Sequence, residues 1–372
     1  MSKGFATIAA TLSAAAVSAV VLLAQQPRIG NGRIVSQPVT LREAFGSAVS
    51  AQGDVAWIGY AVPVVDGERT MCCVSSGTRR INGVVISDGS ACCGLCGLEP
   101  SGSRESTGSR TQQSAASGPI KLEGPDQMVV LFRIVNRQVE RVRVFSDDCE
   151  LDAGGRSVAW LTGVRPADSV ALLESLVRAQ ADRRDRVTDG AISAIALHED
   201  GAADAALDRL LAASQPQTIR AKIPFWLGTA RGGRGLGVLQ RIIKDDPSAD
   251  VKKKAVFGIS QSREPSAVDI LIDNARSNSD SSVRGEAIFW LGQKAGSKAA
   301  GAITDVIERD PDTDVKKRAV FALSQLPKTE AVPLLIQVAR THSNPAVKKQ
   351  AIFWLGQSKD PRALDFFAEI LK

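Results

Sequence analysis

All six cysteines of this 372-residue chain, Cys72, Cys73, Cys92, Cys93, Cys96 and Cys149, lie in its first half, five of them within the run from residue 72 to residue 96. Clustered thiols support three chemistries. In an oxidising compartment they form a disulfide framework, for which six cysteines leave about 15 pairings open. Cys72 or Cys73 with the "CCGLC" run could instead hold zinc, since Cys92 or Cys93 and Cys96 stand at close ligand spacing. "CGLC" also has the CxxC form of a redox pair, but no helix pattern follows it to lower a thiol pKa. Structural disulfides are the expectation and zinc is the alternative; no other cofactor is implied.

Other chemistry is thinly supplied. The chain has two histidines and one tyrosine, a poor stock for acid–base or nucleophilic catalysis, which draws most often on histidine. His198-Glu199 is one His-Glu pair, whereas the other histidine, His342, is followed by Ser343. Asp147, Asp148, Glu150 and Asp152 bring carboxylates together at a strand end, yet their spacing fits no defined calcium loop, and a solvated turn tied down by Cys149 is the plainer expectation.

The elements that must position these residues fall into two parts. "AIFWLGQ" occurs at 287–293 and again at 351–357, 64 residues on, and at half that interval a comb of columns appears. Phe225, Phe257, Phe289, Phe321 and Phe353 are 32 residues apart, and Ile219, Val251, Val283, Val315 and Val347 precede them by six. With a weaker match reaching back to Val187, this predicts six units over 187–372, each a pair of amphipathic helices that buries its apolar faces only by stacking on its neighbours. Val251, Ala255, Val256 and Ile259 trace the buried stripe of one such helix, with Asp250 at the expected N-cap and the Phe column in the interior.

The phased "DVKKKAVFGIS", "DVKKRAVFALS" and "VRGEAIFWLG" segments resemble short HEAT repeats, specifically the HEAT-like repeats first noted in phycobilisome lyases. That resemblance implies an α-solenoid. Its members include scaffolds, chromophore lyases and a di-iron hydroxylase, so activity does not follow from it. The hydroxylase holds its metal with repeated His-Glu pairs, and this chain has one.

Two further columns could carry binding. Trp226, Gly258, Trp290, Ala322 and Trp354 alternate large with small, so each Trp either packs over its neighbour's small residue or serves, with Trp226, Trp290 and Trp354 in a row, as an aromatic anchor. The basic residues Arg220, Lys252, Lys253, Arg284, Lys316, Lys317, Lys348 and Lys349 sit in first helical turns, where the helix dipole disfavours them. Either they ladder to Asp246, Asp250, Asp310 and Asp314, or they form a positive ridge for an anionic ligand, which a net charge of +6 permits.

Residues 1–24 have the layout of an export signal, a single Lys followed by an uncharged apolar run, with an uncleaved membrane anchor as the alternative. Residues 35–155 read as a small β-rich module containing the cysteines, with a hairpin at 128–146 and a Ser/Gly-rich disordered loop at 101–118. Residues 156–372 are assigned to the helical superhelix. The expected fold class is α+β, and the expected function is an exported, bacterial, periplasmic or extracellular, non-catalytic HEAT-repeat scaffold. Its partner is expected to be a protein, with an anionic glycan or lipid headgroup as alternatives and nucleic acid not expected. The competing reading is a metal- or thiol-dependent, oxidoreductase-like enzyme centred on the cysteines, or a relative of the HEAT-like lyases and hydroxylases.

Overall fold

The computed structural model describes residues 28–38, 40–51, 55–66, 79–81, 84–86, 96–99, 126–147, 149–179, 186–294 and 296–371. The expected signal segment and the 101–118 loop lie outside them. Among the described residues ten strands precede the helical layer: β1 (Ile29–Gly30), β2 (Arg33–Pro38), β3 (Val55–Pro63), β4 (Arg79–Ile81), β5 (Val84–Ile86), β6 (Cys96–Gly97), β7 (Gln127–Val135), β8 (Gln138–Ser146), β9 (Leu151–Asp152) and β10 (Ser157–Thr162). The main sheet runs β2-β10-β3-β7-β8, with β10 parallel to both of its neighbours and the rest antiparallel. The β7–β8 hairpin closes through Asn136 and Arg137, both at positive φ, as a two-residue turn twisted to match its strands requires.

Both faces of this sheet are covered, which is why its strands read as nearly unbroken apolar runs. Ile58, Tyr60, Val130, Phe132 and Leu161 face the helices, while Trp57, Val129, Leu131, Phe145 and Trp160 form a second core with Leu98, Cys149, Leu151 and Ala153. Strand β10 belongs to the centre of the sheet, so the helical region begins at Pro166 and not at residue 156. "SVAWLT" lacks polar alternation because both of its faces are buried.

Helix α1 (Leu41–Ala51) and helix α2 (Pro166–Ala179) join the sheet to six stacked units. The first unit is α3 (Arg186–Leu197) with α4 (Gly201–Leu210). The second has a first helix split into α5 (Gln217–Arg220) and α6 (Ile223–Ala230), where Pro224 supplies no N–H, followed by α7 (Gly232–Asp245). Then come α8 (Ala249–Gln261) with α9 (Ala267–Ser277), α10 (Ser281–Lys294) with α11 (Ala300–Arg309), α12 (Thr313–Ser324) with α13 (Lys328–Thr341), and α14 (Pro345–Ser358) with α15 (Pro361–Ile370). Val251, Ala255, Val256 and Ile259 are all fully buried. The cap of α8 is Ser248, whose hydroxyl accepts from Val251 N; Asp250 lies in the first turn instead.

Successive first helices (α6, α8, α10, α12, α14) approach to backbone contact. A Cβ on Gly228 would overlap the Gly258 carbonyl, and one on Gly292 would stand 2.8 Å from Ala322 Cα. The second helices touch one another far less. A stack that is tight on one side and loose on the other curves, so the first helices line its inner, concave side.

Candidate functional site: the inner face of the repeats

On each first helix the buried stripe points toward the layer of second helices, most of all the second helix of the preceding unit, leaving the opposite face to the concave side. The Phe column occupies that open face. Phe225 and Phe353 are 38% and 53% exposed, and Phe257, Phe289 and Phe321 are half-buried. The expected interior position is therefore corrected: the Phe stands one residue after a buried position, at Val256, Ile288 and Val320, and about 100° of helical turn carries it out of the core.

The exposed rings are ordered into a chain. Trp226 meets Phe225 edge-on at 5.1 Å, Phe225 stacks on Phe257 at 5.9 Å, and Phe257 meets Trp290 at 4.9 Å. Trp290 then meets Phe289 at 5.0 Å, Phe289 stacks on Phe321 at 6.0 Å, and Phe321 meets Trp354 at 5.1 Å, beside Phe353. Eight rings thus run along the inner face at separations where aromatic pairs attract. All three tryptophans are partly buried and packed against the core, and each of Trp290 and Trp354 leans on the Phe of the preceding unit. Trp290 Nε1 donates to Glu286 at 2.8 Å; the corresponding residue beside Trp354 is Gln350, and the Trp354 N–H is buried with no partner among the described residues.

The basic residues divide into two sets. Arg220 and Arg284 are 4% and 7% exposed and form two-pronged pairs with Asp246 (2.9 and 3.2 Å) and Asp310 (2.7 and 3.0 Å). Arg284 also donates to the carbonyls of Asn278 and Ser279 in the preceding turn. These two arginines are corrected from ridge to internal latch. The C-cap column explains their alternation with lysine: Asp246, Asn278, Asp310 and His342 each accept the backbone N–H two residues on. Where that acceptor carries charge the paired base is a buried Arg, and where it is Asn or His the base is Lys252 or Lys316, which stays half-exposed. Lys316 donates to the Glu308 carbonyl, Lys317 pairs with Asp314 at 2.8 Å, and Lys348 is half-exposed on α14. Lys253, Lys317 and Lys349 lie one helical turn before a Phe, on the ring-bearing face.

Near its N-terminal end the inner face deepens into a recess of about 680 Å³, lined by Ile192, Lys222, Phe225, Trp226, Lys254 and Phe257 among others. Lys222 is bridged to Asp189 on its wall at 2.6 Å.

Both histidines are spent on structure. His198 is fully buried; its Nδ1–H donates to the Ala194 carbonyl at 2.7 Å, and Nε2 accepts from Ser169, whose oxygen accepts in turn from Tyr60. Burial lowers the His198 pKa to about 4 and raises that of the Tyr60 phenol. His342 accepts from Asn344 N through Nδ1 and donates from Nε2 to the Ile307 carbonyl. Cys149, sealed in the second core, is disulfide-bonded; the side chains of Cys72, Cys73, Cys92, Cys93 and Cys96 lie outside the described residues, as does the zinc alternative placed on them. Asp152 caps Gly154 N at 2.8 Å, as expected of a turn. Among the described residues no three His, Cys, Asp or Glu side chains cluster closely enough to hold a metal, and no helix is long and apolar enough to cross a membrane.

Stacked helix pairs with a 32-residue period, a continuous core and a curved inner layer define an α-solenoid. Residues 301–372 match the HEAT repeats family. Among solved structures, the complex of CpcE and CpcF of phycocyanin lyase from Nostoc sp. PCC7120 is 22% identical, covering 41% of this chain and 98% of that chain at a TM-score of 0.32. Human deoxyhypusine hydroxylase in complex with glycerol is 15% identical, covering 55% and 90% at a TM-score of 0.29. A search of curated proteins returns no match. Sequence reasoning found the columns of these HEAT repeats but missed the ring chain. The signal was present in the adjacency of Phe to Trp in "IFWLG", which places one of the two aromatics on the open face.

Proposed function

We propose that the protein is an exported, non-catalytic scaffold that holds a segment of a partner protein along the inner face of its HEAT repeats. The observation that carries this reading is the chain of eight part-exposed rings on the concave side, flanked by Lys253, Lys254, Arg318 and Lys349, which have no carboxylate partner among the described residues. Exposed aromatics are costly to leave in water, and rows of them mark protein interfaces. The lysines favour an acidic partner segment. The sealed Tyr60–Ser169–His198 array and the fully engaged His342 support a non-catalytic role. Export rests on the apolar run of residues 4–24 and on the clustered cysteines, for which the disulfide at Cys149 is the support.

Proteins captured from a cell-envelope extract on immobilised wild type are compared with those held by a Phe225→Ser/Phe257→Ser/Phe321→Ser variant and by a Lys253→Glu/Lys317→Glu/Lys349→Glu variant. Loss of the same captured protein in both, with thermal unfolding still cooperative, supports the reading. Retention in both removes the inner face as the interface.

A further inference from the structure

The two ends of the solenoid are finished differently. At its beginning the first unit is sealed by the sheet: α3 lies on β8, seated so closely that a Cβ on Gly190 would overlap the Val142 carbonyl. At the other end, nothing among the described residues packs on the outer side of the sixth unit, α14 with α15. Six large apolar side chains are exposed among the described residues, and five of them belong to that unit: Ile352, Phe353, Leu364, Ile370 and Leu371.

These side chains form one surface. In the third, fourth and fifth units the column of Ile352 is Val256, Ile288 and Val320, each fully buried in the stack, so a 37% exposed Ile352 marks a missing neighbour. Phe225 and Phe289, which like Phe353 precede a Trp, each stack on the Phe of the following unit at 5.9 and 6.0 Å, whereas Phe353 has no ring beyond it among the described residues. On α15, Glu369 and Phe366 turn toward α13, where Arg340 pairs with the first and stands over the second. At about 100° per residue, Leu364, Ala368 and Leu371 fall on one stripe on the other side of that helix, away from the fifth unit. The tip thus repeats, without an occupant, the apolar surface that joins each unit to the next. Solenoids end in units with a polar outer face, because an apolar one is costly to leave in water.

The surface is continuous with the interface between units, so its complement is another apolar helix-pair face of the same kind. Its charge is mixed. Arg362 is answered by Asp360 and Glu369 by Arg340, while Lys359 and Asp365, exposed and opposite in sign, have no ion-pair partner among the described residues. Such a face suits a copy of itself better than a strongly acidic or strongly basic partner. Because the sheet closes the first unit, a second copy has only its own tip to offer, and the contact is a closed two-fold one in place of a filament. We propose that the outer face of the sixth unit joins two copies of this chain tip to tip, with Ile352, Phe353, Leu364, Ala368 and Leu371 in the seam. The proposal does not depend on partner docking along the inner face; Phe353 is the ring that the two surfaces share.

The test is sedimentation equilibrium of the full chain at micromolar concentration. The expected mass is twice the 39.3 kDa of one chain, and it should persist in molar salt, which screens charges and leaves an apolar seam intact. Leu364→Glu/Leu371→Glu brings carboxylates of both copies into the seam and should raise the dissociation constant at least about thirtyfold, the loss at an interface hot spot. Both leucines are exposed in the single chain, so cooperative thermal unfolding should be kept; Leu371→Asp alone, at a position 84% exposed, keeps the test valid if the double variant unfolds. Phe225→Ser, at the far end of the inner face, should leave the mass unchanged. A one-chain mass for the wild type, dissociation in molar salt, an unchanged dissociation constant in a folded tip variant, or dissociation by Phe225→Ser would each overturn the proposal.

Discussion

In the sheet, Trp57, Tyr60, Phe132 and Trp160 are each at most 1% exposed, whereas on the first helices of the repeats Phe225 and Phe353 are 38% and 53% exposed. Coverage makes the difference. The sheet is sandwiched between helices and a smaller β layer, so every ring finds a neighbour on both sides. A first helix is covered on one side by the layer of second helices, and its other side is left to the concave surface. The same residue class is thus foundation in one region and presented surface in the other.

The largest effect expected is in the latches that let the repeats present that surface. Asp310→Ala leaves Arg284 buried and unpaired and should cost about 3–5 kcal/mol, measured by denaturant unfolding. Asn278→Ala at the equivalent neutral cap should cost about 1 kcal/mol, as loss of one hydrogen bond does. Equal costs would remove the distinction between the two kinds of unit. Next comes the close seating of the inner layer: Gly228→Ala drives a methyl into the Gly258 carbonyl and should cost about 3 kcal/mol, the upper end for overpacking.

The sheet region responds to acid. His198 is neutral when folded, with its pKa depressed from 6.5 to about 4. Stability is therefore fully present above pH 6.5, where the unfolded histidine is also neutral, and falls as the unfolded form takes up a proton between pH 6.5 and about 4. The loss should reach about 3 kcal/mol at the lower end. His198→Gln should be less stable at pH 7 but should lack this share of the slope; identical slopes would show that His198 does not titrate this way. Smaller still, Phe289→Ala should cost about 2 kcal/mol, below the roughly 3–5 of a core ring, because Phe289 is half-buried. The smallest change has the opposite sign. A methyl added at Gly356 would meet nothing nearer than Phe367 Cζ, at 4.0 Å, so Gly356→Ala should stabilise by about 0.5–1 kcal/mol through helix propensity.

The 32-residue comb was legible in the sequence because each unit buries the same stripe, and Val251, Ala255 and Ile259 land where the period puts them. The hairpin at 128–146 was legible for a local reason too, two β-rich runs joined by a short Asn-Arg turn. The sites were less so. A basic residue in a first turn reads alike whether it is Arg284, latched in the interior, or Lys252, left half-exposed, since what separates them is the C-cap of another helix 26 residues on, Asp310 for one and Asn278 for the other.

By itself, then, the sequence determined the helix pairs, their number and the two-unit alternation, because periodic burial is written in residue order. Only the tertiary structure decided that β10 joins the sheet, that the Phe column faces outward as a ring chain, and that Arg220 and Arg284 latch to the caps of later helices. Those outcomes depend on which surfaces of distant segments come together, and helix curvature, coverage and charge pairing are set by neighbours that local pattern does not encode.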